Sequence, residues 1–408
     1  MAIDPASPPR RPLVIGILVY LLTILSMATV GAVVTTMMRF CADIHATPVE
    51  LGVAISMFSL PSATLGIFGG LINRFGHRRT IIISGLVAAM NDVLIYLSGS
   101  LLALDLGLLL TGLAFTGASI ASPAYLMNML DGADRARAVS LWSTYGPTGY
   151  AIGLLLAAPF TTGDNWRMPL LIAGALLAVF SVAAAFILPR DAPATSTEAL
   201  SGREQVRDVI HMLGDRHFVR LAFALGVPTA ISYGTGIAAP SYISTTYGVS
   251  IGSSAAMVAA AKIAAMIMGG VMIGQLLARN MSIHRLFGIT ALLGIVAQIM
   301  LFAPFFGVGV AFTALIMWLF AVSGISATTM MMVPAVNPDP SKRALAVGLI
   351  GQVMSLLCFV APPLYLSLHW WGSFILIAVT GLLFGFAILP RPKSTIPAFP
   401  VIVKSRLS

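Results

Sequence analysis

Two ionisable side chains stand inside stretches that are otherwise apolar, and chemistry must be argued from them first. Lys262 lies within Ala-Ala-Ala-Lys-Ile-Ala-Ala, and Asp92 follows Asn91 near the middle of the apolar run 80–99. An ammonium held deep in hydrocarbon costs about 2.5–3.5 kcal/mol on insertion scales, so it must face other protein or a water-filled cavity. The alanines around Lys262 leave space for a partner. It reads as a contact for an anionic or carbonyl-bearing group, as a residue that gains and loses a proton, or as a structural lysine bonded to carbonyls at a helix break. A carboxyl taken out of water tends to hold a proton, so Asp92 suits a proton carrier. It equally suits a structural bond to Asn91 or to hydroxyls of the neighbouring second and fourth spans.

The segment Gly226-Val-Pro228-Thr-Ala-Ile-Ser232-Tyr233-Gly234-Thr235-Gly236 breaks one apolar run with glycine and proline, and Thr23–Thr36 is its counterpart near the start of the chain. Interrupted helices at matching places in two repeats point to a binding site, which makes Tyr233 and Thr235 candidate cavity residues. Ser119, Ser122, Ser326, Thr329, the methionines Met330 to Met332, Gln298 and Gln352 are further polar or soft groups at depth. Hydroxyls there often bond only their own backbone. Gln352 is the preferred glutamine. All six histidines fall in loops or at the ends of apolar runs. No paired carboxylates, Ser–His arrangement, phosphate loop or metal-ligand spacing is visible, so neither an enzyme nor a cofactor or metal is expected.

The elements that position these residues follow from composition. Of 408 residues, 58% are hydrophobic and 9% charged, with a mean hydropathy of +0.96. Soluble domains carry about 25% charged residues, so the lipid bilayer is the solvent. Twelve spans are expected, at about 13–38, 51–72, 80–99, 106–129, 138–160, 168–188, 218–243, 251–278, 286–304, 308–334, 344–366 and 371–389. Asp105 is placed in a tight outer turn. The formal charge is +9. All Lys and Arg except Arg39, Arg167 and Lys262 then fall on one side, which the positive-inside rule makes cytoplasmic, with both termini. The charge thus reflects topology and anionic lipid, not nucleic acid. Nineteen of the 23 basic residues are arginine, which with abundant Ala and Gly points to a bacterial inner membrane. Arg10 and Arg11 precede a run too long for a signal-peptide core, read as a retained helix.

The halves repeat. Phe186-Ile-Leu-Pro-Arg190 ends the sixth span and Ile388-Leu-Pro-Arg391 the twelfth, while Arg137-Ala-Val-Ser-Leu resembles Arg343-Ala-Leu-Ala-Val. The expected organisation is a six-helix bundle over 1–189, a cytoplasmic linker with an amphipathic helix over 190–217, and a second six-helix bundle over 218–408. Glycine pairs at four-residue spacing, such as Gly149/Gly153 and Gly381/Gly385, permit close helix approach.

Between the second and third spans, Gly69-Gly-Leu71-Ile-Asn73-Arg74-Phe-Gly76-His77-Arg78-Arg79 resembles the Gly-x-Leu-x-Asp-Arg-x-Gly-Arg-Arg/Lys signature of the major facilitator superfamily. Asp131–Arg137 and Trp166-Arg167 resemble looser motifs of that family, and Gly146-Pro147-Thr-Gly149 a partial antiporter and drug-exporter pattern. The resemblance implies an all-α membrane protein with two pseudo-symmetric six-helix bundles rocking about a central site. It implies a conformational latch at Gly69, Asn73, Arg74, Gly76, Arg78 and Arg79, with Gly146 and Pro147 in a bending helix. Asn73 and His77 depart from the signature, and the arginine expected early in the fourth span is missing. The latch is therefore expected to use neutral hydrogen bonds or pairs of the Arg78–Asp134 type. The implied function is proton-coupled export, by a monomer, of a small organic solute such as a drug or a siderophore-like metabolite. Import or uniport of a small organic anion at Lys262 is the alternative, and a non-transporting sensor of the same fold is a third reading.

Overall fold

Apolar runs of this length satisfy their backbone groups internally only as helices, and helices are what form. The computed structural model describes residues 12–65, 75–191, 202–278, 281–337 and 343–390. The helices are α1 (Pro12–Thr35), α2 (Pro48–Met57, resuming as Leu60–Leu65), α3 (His77–Tyr96), α4 (Leu101–Met129), α5 (Gly132–Trp142, resuming as Tyr145–Ala157) and α6 (Met168–Ile187). A short helix, Gly202–Gly214, precedes α7 (Arg216–Tyr247), α8 (Ile251–Ala278), α9 (Ile283–Phe302), α10 (Gly307–Met331), α11 (Arg343–Leu366) and α12 (Trp371–Ile388). Among the described residues nine helices are long and apolar enough to span a membrane. The remaining three of the twelve are α2 and α5, which are broken, and α8 (Ile251–Ala278).

Several expectations need correction. The expected interruption lies elsewhere, because α7 runs unbroken through Pro228 and Pro240. Proline frees a carbonyl four residues earlier, and neighbouring helices make that tolerable in a membrane protein. The breaks fall at Phe58–Ser59 in α2, at Ser143–Thr144 in α5, and, at the last residue of the counterpart stretch Thr23–Thr36, at Thr36, beyond which the chain resumes as Met37–Asp43. Asp105 sits inside α4, not in a turn, since Ser100 caps that helix by accepting from the Ala103 N–H at 3.3 Å. The loop Asp131–Arg137 is helical from Gly132 onward. Thr47 caps α2, and its N–H and hydroxyl both donate to Glu50 at 2.8 Å. These bonds hold the Glu50 carboxyl below its usual pKa.

Glycine decides how closely the helices meet. A Cβ added at Gly31 would lie 2.3 Å from the Tyr150 carbonyl oxygen, and one at Gly153 would lie 2.0 Å from that of Ala28. The α1 and α5 backbones are therefore in direct contact, as the four-residue spacing of Gly149 and Gly153 suggests. We call the end carrying residues 75–79 the loop end and the opposite one the far end. At the far end the same device joins the two halves. A Cβ at Gly52 of α2 would meet the Pro363 backbone of α11 at 2.9 Å, and one at Gly252 of α8 would meet the Ala158 carbonyl at 2.4 Å. Ser56 adds a hydrogen bond to the Phe359 carbonyl.

Overpacking such a contact costs about 1–3 kcal/mol or more. Gly153→Val should accordingly lower the thermal midpoint and folded yield of the purified protein. Gly309→Ala, where a Cβ meets nothing within 4 Å, should leave both within error.

Candidate functional site: a central cavity with a single cation

A cavity of about 960 Å³ lies between the halves, on the loop-end side of the far-end seal. Its walls come from α1, α2, α4 and α5 of the first half and α7, α8, α10 and α11 of the second. Both broken helices contribute at their breaks, with Ser59 on α2 and Ser143 and Thr144 on α5. A helix break frees backbone polar groups, which are tolerated at membrane depth where they line a polar space.

Lys262 enters the cavity from α8. Its Nζ stands 4.8 Å from the centroid of the Tyr150 ring, a cation–π arrangement. Gly236 of α7 lies beside the ammonium, since a Cβ there would stand in ordinary contact with Nζ at 3.8 Å. Tyr150 also donates from its hydroxyl to the Gly236 carbonyl at 2.9 Å, joining α5 to α7 across the two halves. Tyr233 stands among Ser59, Tyr150 and Cys358. No Asp, Glu, Arg or His is found among the described residues of the cavity wall.

Of the residues singled out from the sequence, Lys262, Tyr233, Gln352, Ser119, Ser326, Gly146 and Pro147 all line this cavity. Ser119 also donates to the Thr116 carbonyl at 3.0 Å. Thr235 does not line it. On α7 the wall positions are Thr229, Ser232, Tyr233 and Gly236, one stripe at helical spacing, and Thr235 falls off that stripe. It accepts instead from Gln298 Nε2 at 3.2 Å, inside the second half. Asp92 is also outside the cavity, fully buried, with Thr29 Oγ1 donating to its Oδ1 at 2.7 Å. The partner comes from α1, not from Asn91, α2 or α4. Asp92 lies four residues before the far end of α3, about 6 Å along the axis, closer to that end than the middle of the run suggested. Ser122 meets Thr23 at 3.3 Å, and the Thr329 hydroxyl bonds its own helix at Ile325.

Tyr150, Ser59 and Cys358 were missed. Tyr150 sits directly after Gly149 of the Gly-Pro motif, which is the signal that could have found it. The break at Ser59 has its signature in Pro61, which cannot donate to the Met57 carbonyl four residues earlier, where the first piece of α2 ends.

At the loop end, Gly69, Asn73 and Arg74 lie outside the described residues. Gly76 precedes α3 with φ +96°, a conformation that favours glycine. Arg79 is exposed. Arg78 does not pair with Asp134. Its Nε donates to the Leu188 carbonyl at 2.8 Å, its Nη2 to that of Ala185, and its backbone N–H to Asp191 at 3.0 Å. The free carbonyls and dipole at the end of α6 attract the guanidinium, so this arginine ties α3 to α6 within one half. Asp134 pairs with Arg137 at 3.7 Å. Arg167 does the matching job at the far end, donating to the Tyr96 carbonyl at 2.6 Å and pairing with Asp43.

Residues 16–362 match the model of the Major Facilitator Superfamily. The chain belongs to that superfamily. Among solved structures, a bacterial homolog of the human lysosomal transporter Spinster, inward-facing and unoccupied, superposes with a TM-score of 0.74 at 14% identity, covering 94% of this chain and 95% of that one. The nucleoside transporter NupG superposes with a TM-score of 0.73 at 14% identity, over 92% and 98%. At such identities the likeness is one of fold. Multidrug resistance protein 2 of Bacillus subtilis (strain 168) is 24% identical over 160 residues, which are 39% of this chain and 40% of that protein. The major facilitator fold and family place this chain among membrane transport proteins.

A buried hydrogen bond contributes about 1 kcal/mol net, roughly a fivefold population shift. Tyr150→Phe keeps the ring beside Lys262 and removes the link to Gly236. Spin labels at Val49 and Leu364, on α2 and α11 at the far end, should then report a longer-distance population about fivefold larger than in the native chain.

Proposed function

We propose that this chain carries a small organic anion across the membrane by alternating access, with Lys262 as its cationic contact, and exports it in exchange for protons. The observation that carries the charge assignment is the lone ammonium. A cation bound in this cavity would find no counter-charge among its described wall residues, whereas an anion finds Lys262 with its Nζ beside the Tyr150 ring. Hydroxyls of Ser59, Ser119, Ser232 and Ser326, with Gln352 and Tyr233, would meet the polar groups of the cargo. Met27, Phe58, Phe115 and Met266 would cover its apolar body.

Export is supported by the position of Gly146 and Pro147 on the cavity wall and by the multidrug resistance relative's name. In this reading a bundle of residues 1–189 rocks against one of residues 218–408, joined by the linker 190–217. The protein works as a monomer in a bacterial inner membrane with both termini in the cytoplasm. The latch that the family signature implies, at Gly69, Asn73, Arg74, Gly76, Arg78 and Arg79, lies in this reading at the cytoplasmic end. Import or uniport of the same anion is the second reading, favoured by the seating of Asp92 outside the cavity, which leaves the described cavity wall without a carboxylate.

In proteoliposomes, a panel of radiolabelled aromatic carboxylates and sulfonates should be transported, and their quaternary-ammonium counterparts should not. Lys262→Ala should reduce anion flux at least about tenfold, equivalent to about 1.4 kcal/mol, with Lys262→Arg retaining part of it. Equal flux of cations, or unchanged kinetics in Lys262→Ala, would contradict the assignment.

A further inference from the structure

Asp92 and Gln298 hold the same place in the two halves. Thr29 and Thr235 are 206 residues apart in the sequence, and so are Asp92 and Gln298. In each half the threonine on the first helix bonds the polar side chain on the third, as Thr29 Oγ1 to Asp92 Oδ1 at 2.7 Å and as Gln298 Nε2 to Thr235 Oγ1 at 3.2 Å. Both Asp92 and Gln298 are 0% exposed. One oxygen in each, Asp92 Oδ2 and Gln298 Oε1, has no hydrogen-bond partner among the described residues. Neither residue lines the cavity. A primary amide has nearly the shape and the neutrality of a protonated carboxyl, so the second half carries permanently the form that Asp92 takes only with a proton bound.

Among the described residues no counter-charge faces Asp92. α3 packs against α1, α4 and α6. α6 has no ionisable side chain, and α1 has only Tyr20, which meets Thr144 at 2.9 Å. α4 carries Tyr125, bonded to the Pro189 carbonyl at the loop end, and Asp105. Gly107 packs on Ile95, which sets Asp105 nearer the far end than Asp92. On α3 itself His77, Arg78, Arg79 and Tyr96 lie at the two ends. Arg167, just before α6, is engaged by Asp43 and the Tyr96 carbonyl. An ionised carboxylate here would be both desolvated and unpaired.

We propose that Asp92 is a proton-binding site set apart from the cargo cavity, present in one half, replaced by neutral Gln298 in the other, and read out through Thr29. α1 is the route of the readout. Met27 of that helix lines the cavity, whereas Thr29, two residues on, turns to Asp92. Gly31 then locks α1 onto the Tyr150 backbone of α5, whose ring meets Lys262. Loss of the proton from Oδ2 leaves a negative charge against α1, one of the helices that line the cavity. A carboxyl at Gly174 distance from α6 has little room to move away, since a Cβ at Gly174 would lie 3.0 Å from the Asp92 Cβ.

The site is tested on the full chain in lipid nanodiscs by infrared difference spectroscopy across a pH titration, with the proton as the probe. The native-minus-Asp92→Asn spectrum should contain one protonated-carboxyl band that bleaches as pH rises. Gln298→Glu should add a second such band. Thr29→Val, which keeps the acid should Asp92→Asn fail to fold, should move the midpoint without removing the band. Lys262→Gln should leave the band in place, which separates this proposal from the anion assignment. A native spectrum in which Asp92→Asn removes no carboxyl band at any pH would overturn the site. An unmoved midpoint in Thr29→Val would overturn the readout, loss of the band in Lys262→Gln its separation from the cavity, and absence of a new band in Gln298→Glu the equivalence of the two positions.

Discussion

A polar group inside an apolar slab must be met by protein or by water, and this requirement organises the molecule. It sends Lys262 to the one large cavity described between the halves, where its ammonium lies beside the Tyr150 ring. It closes Asp92 in against Thr29. It places the breaks of α2 and α5 on the cavity wall, where freed backbone groups are tolerable. It also explains the arginines at the helix ends. Arg78 and Arg167 each serve carbonyls that an α-helix terminus leaves open, and each thereby fixes α3 to α6, one at the loop end and one close to the far end.

The second organising feature is backbone contact through glycine. Hydrophobic burial gives little drive for helix association in lipid, so close packing must supply it. Gly31 and Gly153 make α1 and α5 one rigid pair, and Gly52 and Gly252 close the far end between the halves. The described cavity lies entirely on the other side of that seal, so these contacts must part for cargo to leave by the far end. Tyr150 links the two halves at the site, because its ring lies beside Lys262 and its hydroxyl bonds Gly236.

Much of the fold was legible because hydropathy depends on single residue types summed over long runs. Helix ends fell within a few residues of the observed ones for α6, α8 and α12. Lys262 was legible for the same reason, since an isolated charge in an alanine run has only an interior place to go. Helical phase was harder. These helices are apolar over most of their surface, so periodicity does not say which face meets the cavity. Thr235 was therefore assigned to the wall although it lies off the stripe of Tyr233 and Gly236, and the partner of Asp92 was sought on the wrong helices. The pairing of Asp92 with Gln298 was hidden by the difference between an acid and an amide, and it needed the three-dimensional match of Thr29 with Thr235.

The central claim is that Lys262 makes the cavity electropositive, and Cys358 on its wall offers a native probe that needs no knowledge of the cargo. The rate of Cys358 modification by a negatively charged thiol reagent should be compared with that by a positively charged reagent of equal size, in a Cys41→Ala background. The ratio should favour the anionic reagent and fall to near parity in Lys262→Gln. A ratio that favours the cationic reagent, or one unchanged by Lys262→Gln, would contradict it.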